Sequence, residues 1–213
     1  KIPLALYGEN PGLQFGGDYG SYDGNANRLK YQNTLSGGDL SPYRDAGFSD
    51  KELYWFTFPS DDEMKRALIQ FIYLGFYIPD FNDWTNGAFA LERGLEPRSG
   101  DHAKPEAIGM INDYDALDDD FVMVNQMLKY FKFGFGKASE QASLMIRHGL
   151  ISRANAIKRV RHVDGQCADC YIQRICDYFG ITETQFWETA NGLRNPKIWR
   201  QEGNKWRHMF ELA

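Results

Sequence analysis

The pattern of apolar and polar positions changes near residue 115. Before it, short apolar runs are separated by long polar and glycine-rich segments. Residues 2–7 are apolar, and residues 71–77 are aromatic and β-branched, so each run predicts a buried strand. Between them, Ser60-Asp61-Asp62-Glu63 has the pattern of a capping box and predicts the start of a helix.

After residue 115 the apolar residues recur at helical spacing, beginning with Phe121, Val124, Met127, Leu128 and Phe131. Glycines separate the later apolar stretches and are expected to end helices there. The predicted helices cover residues 138–149, 152–162, 169–179 and 182–193, with one earlier helix over 82–93. We therefore predict an α/β fold class, with the remnant of a sheet domain in residues 1–115 and a mostly helical region in residues 116–213.

Composition narrows the possible functions. The formal net charge is -5 and the isoelectric point about 5.4, which argues against broad binding of nucleic acid. No apolar run approaches the roughly 20 residues that span a bilayer, and no secretory signal is visible. The three cysteines are too few for a disulfide scaffold and suit a reducing compartment, so we expect a cytoplasmic protein. Because Lys1 leads straight into a predicted strand, we also expect further residues upstream.

Polar residues follow the first predicted strand. Ligands of open α/β sheets bind beyond the carboxyl ends of the strands, and Gly8-Glu9-Asn10 lies there. Glu9 and Asn10 are therefore candidates to hold Mg²⁺, a ribose or a sugar hydroxyl, although a simple turn before Pro11 is the alternative. The pair Gly16-Gly17 allows the backbone to approach a ligand closely, or simply makes a turn.

Two other glycine-containing segments invite comparison with phosphate-binding loops. In Ser36-Gly37-Gly38-Asp39-Leu40-Ser41 the aspartate comes one position too early and no buried strand precedes it, so we do not predict a phosphate loop there. The block from Lys132 to Lys137 alternates Gly134 and Gly136 with phenylalanines. It is compatible with phosphate binding or base stacking, and equally with a corner between two helices.

The cysteines lie close together in the sequence. Cys167 and Cys170 have a spacing that can bind zinc or an iron–sulfur cluster, and His162 is a possible further zinc ligand. Cys176 falls on an apolar helix face with Ile172 and Phe179, which favours a core position. Cys167 and Cys170 are therefore the metal candidates, and a three-cysteine cluster is the alternative.

An ordered set of segments resembles the N-acetyl sugar amidotransferases. The set begins with residues 2–10 and 14–17 and continues with residues 71–77 and 132–136. It ends with Arg147-His148-Gly149-Leu150-Ile151-Ser152-Arg153, Asp164-Gly165, residues 178–182, Phe186-Trp187 and Arg194-Asn195-Pro196-Lys197-Ile198-Trp199. The resemblance covers nearly the whole chain, and the ordered set is much more specific than any single member.

This resemblance implies a PP-loop ATP pyrophosphatase with an adenine nucleotide alpha hydrolase-like parallel sheet. Such enzymes convert the acetamido group of a bacterial surface sugar, in O-antigen or nonulosonic acid biosynthesis, into an acetamidino group. The implied cofactors are ATP and Mg²⁺, and the implied partners are a glutaminase and a cyclase-like ammonia-channel subunit. The substrate would be a nucleotide-linked or acidic N-acetyl sugar.

The family's Ser-Gly-Gly-x-Asp-Ser loop and its zinc-type cysteine cluster are not in these residues, so this stretch alone is expected to be inactive. Our hypothesis is that Glu9 and Asn10 face the nucleotide or sugar at the sheet edge and are catalytic. Gly8, Gly16, Gly17, Lys132, Gly134, Gly136 and Lys137 would bind ATP or the sugar. Two other functions stay open: a non-catalytic module, residues 117–213, that docks the glutaminase, and a sulfur-transfer relative with an iron–sulfur cluster.

Overall fold

The computed structural model describes residues 2–8, 23–27, 31 and 38–211. The chain forms two compact units, residues 1–89 and 90–213, and each is described by itself. The first unit contains a small parallel sheet and the second is mainly helical, which confirms the predicted α/β class.

The sheet of the first unit consists of β1 (Leu4–Tyr7) and β2 (Gln70–Tyr73), which run parallel with Leu4 opposite Gln70 and Tyr7 opposite Tyr73. On its other side, β2 forms an isolated antiparallel bridge between Ile72 and Asn25. The remaining elements are helices α1 (Ser41–Asp45), α2 (Asp50–Leu53), α3 (Asp61–Ala67), α4 (Leu74–Tyr77) and α5 (Asp83–Leu91), with a 3₁₀ turn at Tyr54–Phe56.

The strand predicted over residues 71–77 is only half correct, because the chain coils into α4 after Tyr73. The cause is local packing at Gly75, where a Cβ atom would lie 2.5 Å from the ring of Phe81. Only glycine admits that ring so close to the backbone. The helix predicted from the capping box is confirmed: the Ser60 side chain accepts a hydrogen bond from the backbone N–H of Glu63, whose carboxylate accepts one from the backbone N–H of Ser60.

The second unit contains the helices that the apolar periodicity predicts. They are α7 (Phe121–Phe133), α8 (Lys137–Arg147), α9 (Arg153–Val163), α10 (Asp169–Phe179) and α11 (Glu183–Gly192). The unit also contains a short helix that was not predicted, α6 (Pro105–Ile108), and a 3₁₀ turn at Asp101–Ala103. The capping box at Thr182 begins α11 as predicted. Gly134 and Gly180 end α7 and α10 in the left-handed conformation, in which glycine has no Cβ clash.

A hairpin follows the helices. It consists of β3 (Trp199–Glu202) and β4 (Lys205–His208), which pair antiparallel with Trp199 opposite His208. No strand is predicted for this segment from the sequence, because charged and polar residues surround its two tryptophans. Contacts with a distant part of the chain stabilise the hairpin. Trp199 is buried, and its indole N–H donates to the carbonyl oxygen of Phe131 at 2.7 Å.

The main core of the second unit joins α6, α7, α10 and α11. Met123 and Val124 of α7 are fully buried and pack with Ile172 and Cys176 of α10. The predicted core position of Cys176 is therefore confirmed. A second cluster, in which Ala138 and Ala142 of α8 pack with Val160 and Val163 of α9, holds the next helix pair together.

Candidate functional site

The carboxyl edge of the small sheet is the first candidate site. Because β1 and β2 are parallel, Tyr7 and Tyr73 end their strands at the same edge, and their ring centroids lie 6.4 Å apart. Gly8 follows β1 at this edge; it is exposed, and nothing lies within 4 Å of the position that a Cβ atom would take. This is the edge at which ligands of parallel sheets bind.

The other residues predicted for this edge are Glu9, Asn10, Gly16 and Gly17, and they lie outside the described residues. Their assignment to catalysis and to nucleotide or sugar binding stays a prediction.

One face of β1 is apolar and exposed. Ile2, Leu4 and Leu6 are 79%, 47% and 55% exposed, although they belong to or adjoin a strand of a parallel pair. Within the described part of the chain, β1 pairs with β2 alone. Parallel sheets in proteins are normally covered on both faces. Within the described residues, this face of the sheet is therefore uncovered.

The block from Lys132 to Lys137 forms the corner between α7 and α8. Gly134 ends α7 with φ 78°, and Gly136 is the N-cap residue of α8. The carboxylate of Asp164, at the end of α9, fills the space beside Gly136, where a Cβ atom would lie 2.6 Å from Asp164 Oδ1. Asp164 Oδ2 accepts hydrogen bonds from the Gly136 N–H at 2.9 Å and from the Ser139 hydroxyl at 2.6 Å.

This carboxylate occupies the N-terminal end of α8, where an external anion would otherwise be favoured. Asp164 is only 5% exposed. Burial raises its pKa above the ordinary value, and the hydrogen bonds from Ser139 and the backbone amides oppose that rise without cancelling it.

The three lysines near the corner have different surroundings. Lys137 Nζ lies 3.3 Å from the Asp115 carboxylate, which also accepts a hydrogen bond from Gln141. Lys129 forms an ion pair with Glu140. Lys132 is exposed, lies over the ring of Phe133 at 5.4 Å and forms no ion pair with any described residue.

Of these lysines, Lys132 is therefore the best placed to meet an anion. Phe133 and Phe135 are 53% and 43% exposed, so the rings of this corner are not buried in it. The predicted ligand-binding role of Lys132, Gly134, Gly136 and Lys137 stays a prediction.

The cysteines separate into two environments. Cys170 Sγ lies 3.4 Å from His102 Nδ1 near the start of α10. Burial, with smaller contributions from Cys170 and Asp169, raises the pKa of Cys167 to about 12. Cys176 lies in the core. Among the residues that the structure describes, no group of three or more His, Cys, Asp or Glu side chains is placed to hold a metal ion.

Sequence reasoning missed an aromatic cavity in the first unit. It has a volume of about 820 Å³ and is lined by Tyr43, Phe48, Trp55, Phe56 and Phe58, among others. Two carboxylates line it as well, but Asp39 accepts hydrogen bonds from Ser41, and Glu52 accepts them from Ser49. The exposed aromatic run at residues 54–58 was the signal available in the sequence.

Sequence reasoning also missed the surroundings of Arg194. Its guanidinium carbon lies 3.5 Å from the ring centroid of Phe131, 4.7 Å from that of Trp199 and 5.2 Å from that of Trp206. These rings come from α7, β3 and β4. The sequence block Arg194-Asn195-Pro196-Lys197-Ile198-Trp199 was the available signal, since it belongs to the set that carries the resemblance.

The chain is thus an α/β protein whose parallel sheet is followed by a helical region with an aromatic hairpin. Residues 98–213, more than half of the chain, match the family model of the C-terminal domain of WbpG-like LPS biosynthesis proteins, and the chain belongs to that family. This family membership confirms the predicted role in surface-polysaccharide biosynthesis. No curated protein matches the chain. Over the described residues, no helix combines the length and apolar character needed to cross a membrane.

Proposed function

We propose that the protein is an ATP-dependent amidotransferase that converts the acetamido group of an N-acetyl sugar into an acetamidino group during lipopolysaccharide biosynthesis. The observation that carries the proposal is the parallel pair β1–β2, with the strand ends Tyr7 and Tyr73 at one edge. The membership of an LPS biosynthesis family supports a sugar substrate, and the resemblance suggests the reaction.

The exposed apolar side of β1 supports the proposal. Ile2, Leu4 and Leu6 alternate along the chain and lie on one face, and they are the residues that helices covering a larger sheet would bury. We propose that a PP-loop domain continues the sheet beyond β1 and supplies the phosphate-binding loop. The predicted division at residue 115, between a PP-loop-like domain and a helical region, belongs to this proposal.

The reaction must overcome two weaknesses of an amide, because its carbonyl is a poor electrophile and its oxygen a poor leaving group. In the proposed sequence, the acetamido oxygen attacks the α-phosphorus of ATP and pyrophosphate leaves. Ammonia then adds to the activated carbon, loses protons to the surroundings, and AMP departs with the original oxygen. A glutaminase partner would supply the ammonia, which is scarce and mostly protonated at neutral pH.

Mg²⁺ prefers oxygen ligands, and when bound it would offset the charge that gathers on pyrophosphate. At the described part of the edge, Gly8 contributes no side chain, so the described residues alone do not form an Mg²⁺ site. The contacts proposed for Glu9 and Asn10 would supply those oxygens.

Deletion of the gene that encodes the chain tests this proposal. Mass spectrometry of the surface polysaccharide should show that acetamidino sugars are replaced by acetamido sugars in the deletion strain. Reintroduction of the gene should restore the amidine. Surface sugars that keep their amidine without the gene, or that lack it with the gene intact, contradict the proposal.

A second function is favoured by a different surface. Tyr178 and Phe179 at the end of α10 are 71% and 63% exposed, with ring centroids 5.1 Å apart, and Phe121 packs on Tyr178 at 5.1 Å. Exposed aromatic groups of this kind are typical of protein interfaces. In this alternative, the helical region docks the glutaminase without contacting the sugar. Retained glutaminase binding by a Tyr178→Ser/Phe179→Ser variant would count against it.

A further inference from the structure

Arg194 carries a charge that no acidic side chain offsets within the described part of the chain. Its Nε–H donates to Asn191 Oδ1 at 3.1 Å, and no described residue accepts a hydrogen bond from either Nη atom or forms an ion pair with it. The side chain is partly buried. Cation–π contacts with aromatic rings offset part of the cost of burying this charge. They leave the N–H groups of the Nη atoms without acceptors among the described residues, and buried donors of this kind normally have a partner.

Three aromatic rings fix the position of the guanidinium group. Phe131, Trp199 and Trp206 surround it at 3.5, 4.7 and 5.2 Å. Trp199 is itself fixed, because it is buried and donates its indole N–H to the Phe131 carbonyl oxygen. A guanidinium held in this way loses little further side-chain entropy when it binds a ligand.

The surrounding charges favour an anion. Residues 194–208 contain five arginines and lysines and one acidic residue, Glu202, in a chain whose formal net charge is -5. Arg200 and Arg207 both pair with Glu202. Lys197 and Lys205 are exposed and form no ion pair with any described residue. Residues 194–208 therefore form a local basic patch in an acidic protein.

Burial also lowers the pKa of Arg194 to about 10, which still leaves the group charged at neutral pH. A planar guanidinium binds an oxyanion through two parallel hydrogen bonds, and aromatic faces beside it suit the flat or apolar parts of the same ligand. A neutral side chain would pack between the rings without the cost of burying a charge.

We propose that Arg194, held between Phe131, Trp199 and Trp206, anchors through its Nη atoms a binding site for the oxyanion of a small ligand, a carboxylate or a phosphate. Two sources share this chemistry: the carboxylate of an acidic N-acetyl sugar and the diphosphate of a sugar nucleotide. The inference concerns a site in the second unit and does not depend on the amidine reaction, because binding requires neither ATP nor ammonia.

Isothermal titration of the 213-residue chain tests the site with three ligands. N-acetylneuraminate presents a carboxylate, UDP-N-acetylglucosamine presents a diphosphate, and N-acetylglucosamine presents neither. At least one anionic ligand should bind, the neutral sugar should not, and the one that binds identifies the source. Failure of both anionic ligands to bind overturns the proposal.

The variant Arg194→Gln should weaken that binding by about 10- to 100-fold, the range for losing a charged hydrogen-bond pair. Arg200→Gln is the matched control, since it removes the same charge from the same segment, residues 194–208; its affinity should stay within about twofold of the wild-type value. Equal binding by the Arg194 variant overturns the site. If that variant does not fold, the wild-type Arg194 Nε–H resonance decides: the bound anion must shift it, and an unchanged signal overturns the proposal.

Discussion

The carboxylate of Asp164 accepts a 2.9 Å hydrogen bond from the backbone N–H of Gly136 and lies where a side chain at that glycine would begin. The two residues connect the end of α9 to the start of α8. The Ser139 hydroxyl also donates to this carboxylate. Asp164 therefore provides a hydrogen-bond acceptor for donors at the N-terminal end of α8, although it does not belong to that helix. A cap of this kind should contribute to stability.

Replacing Asp164 by alanine is therefore expected to lower the free energy of unfolding by about 1–3 kcal/mol, the range for a lost cap and buried polar groups left without partners. Chemical denaturation followed by circular dichroism measures this. Asp177→Ala, at an exposed position of α10, is the control and should change little. Equal stability of the two variants would show that Asp164 does not cap α8.

The contribution of Asp164 to the stability of the fold should change with pH in a definite direction. Burial raises the pKa of Asp164 in the folded state above its ordinary value of 3.8, so the folded protein holds the proton more tightly than the unfolded chain does. Its contribution to stability is then fully present below pH 3.8 and declines as pH rises through the folded-state pKa. The difference in unfolding free energy between wild type and Asp164→Asn should accordingly decrease with rising pH. An increase over that range would contradict the raised pKa.

Gly165 offers a comparison between backbone strain and steric clash. It has φ +75°, and a Cβ atom would lie 2.1 Å from the ring of Tyr130; Gly149 has φ +70° with open space around it. Gly149→Ala should cost about 1–2 kcal/mol for the left-handed backbone alone. Gly165→Ala should cost about 1–3 kcal/mol more, because the ring must move. Thermal or chemical unfolding of the two variants measures the difference, and equal losses would mean that Tyr130 moves freely.

Gln141 connects α8 to the loop after α6. Its side chain is fully buried, its Oε1 accepts from the backbone N–H of Ile111 at 2.6 Å, and its Nε2 donates to Asp115 at 2.9 Å. Gln141→Leu keeps the volume but leaves the Ile111 N–H without a partner, so we expect a loss of about 1–3 kcal/mol in unfolding free energy. Gln173→Leu, on the exposed side of α10, is the control. If both variants lose the same amount of unfolding free energy, the buried hydrogen bonds of Gln141 do not stabilise the fold.

Replacing Lys137 by methionine should affect stability, whereas replacing Lys132 by methionine should affect activity. Lys137 pairs with Asp115, so Lys137→Met is expected to lower stability by up to about 1 kcal/mol. Lys132→Met should leave stability unchanged and, if the corner binds an anionic substrate group, lower amidine formation by about tenfold or more. Unfolding curves and mass spectrometry of the surface polysaccharide from complemented deletion strains report the two effects. Unchanged amidine content with Lys132→Met would remove this lysine from substrate binding.

The helices after residue 115 were predictable because periodicity and local end signals agree. Thr182 with Gln185, and the glycines that end α7 and α10, fix boundaries through contacts within a few residues. The short strand β2 was predicted too long, since its end depends on the contact of Gly75 with Phe81. Local sequence patterns do not report such a contact.

The candidate sites were less predictable, for a related reason. The cap formed by Asp164 on Gly136 and the cage around Arg194 bring together residues far apart in the chain. The two hairpin residues of the cage, Trp199 and Trp206, stand among mostly polar residues. The parallel pairing of the two strands was inferable from the fold class. The sequence predicted a buried strand at residues 2–7, and it did not predict that Ile2, Leu4 and Leu6 would be exposed.

Glu9 provides the most direct test of the central claim that this sheet edge belongs to an amidine-forming site. Glu9→Ala and the control Glu96→Ala, an exposed glutamate far along the chain, should be expressed in the deletion strain at equal protein levels. Mass spectrometry of the surface sugars should show no acetamidino groups with Glu9→Ala and a wild-type amount with Glu96→Ala. A wild-type amidine content with Glu9→Ala would contradict the account.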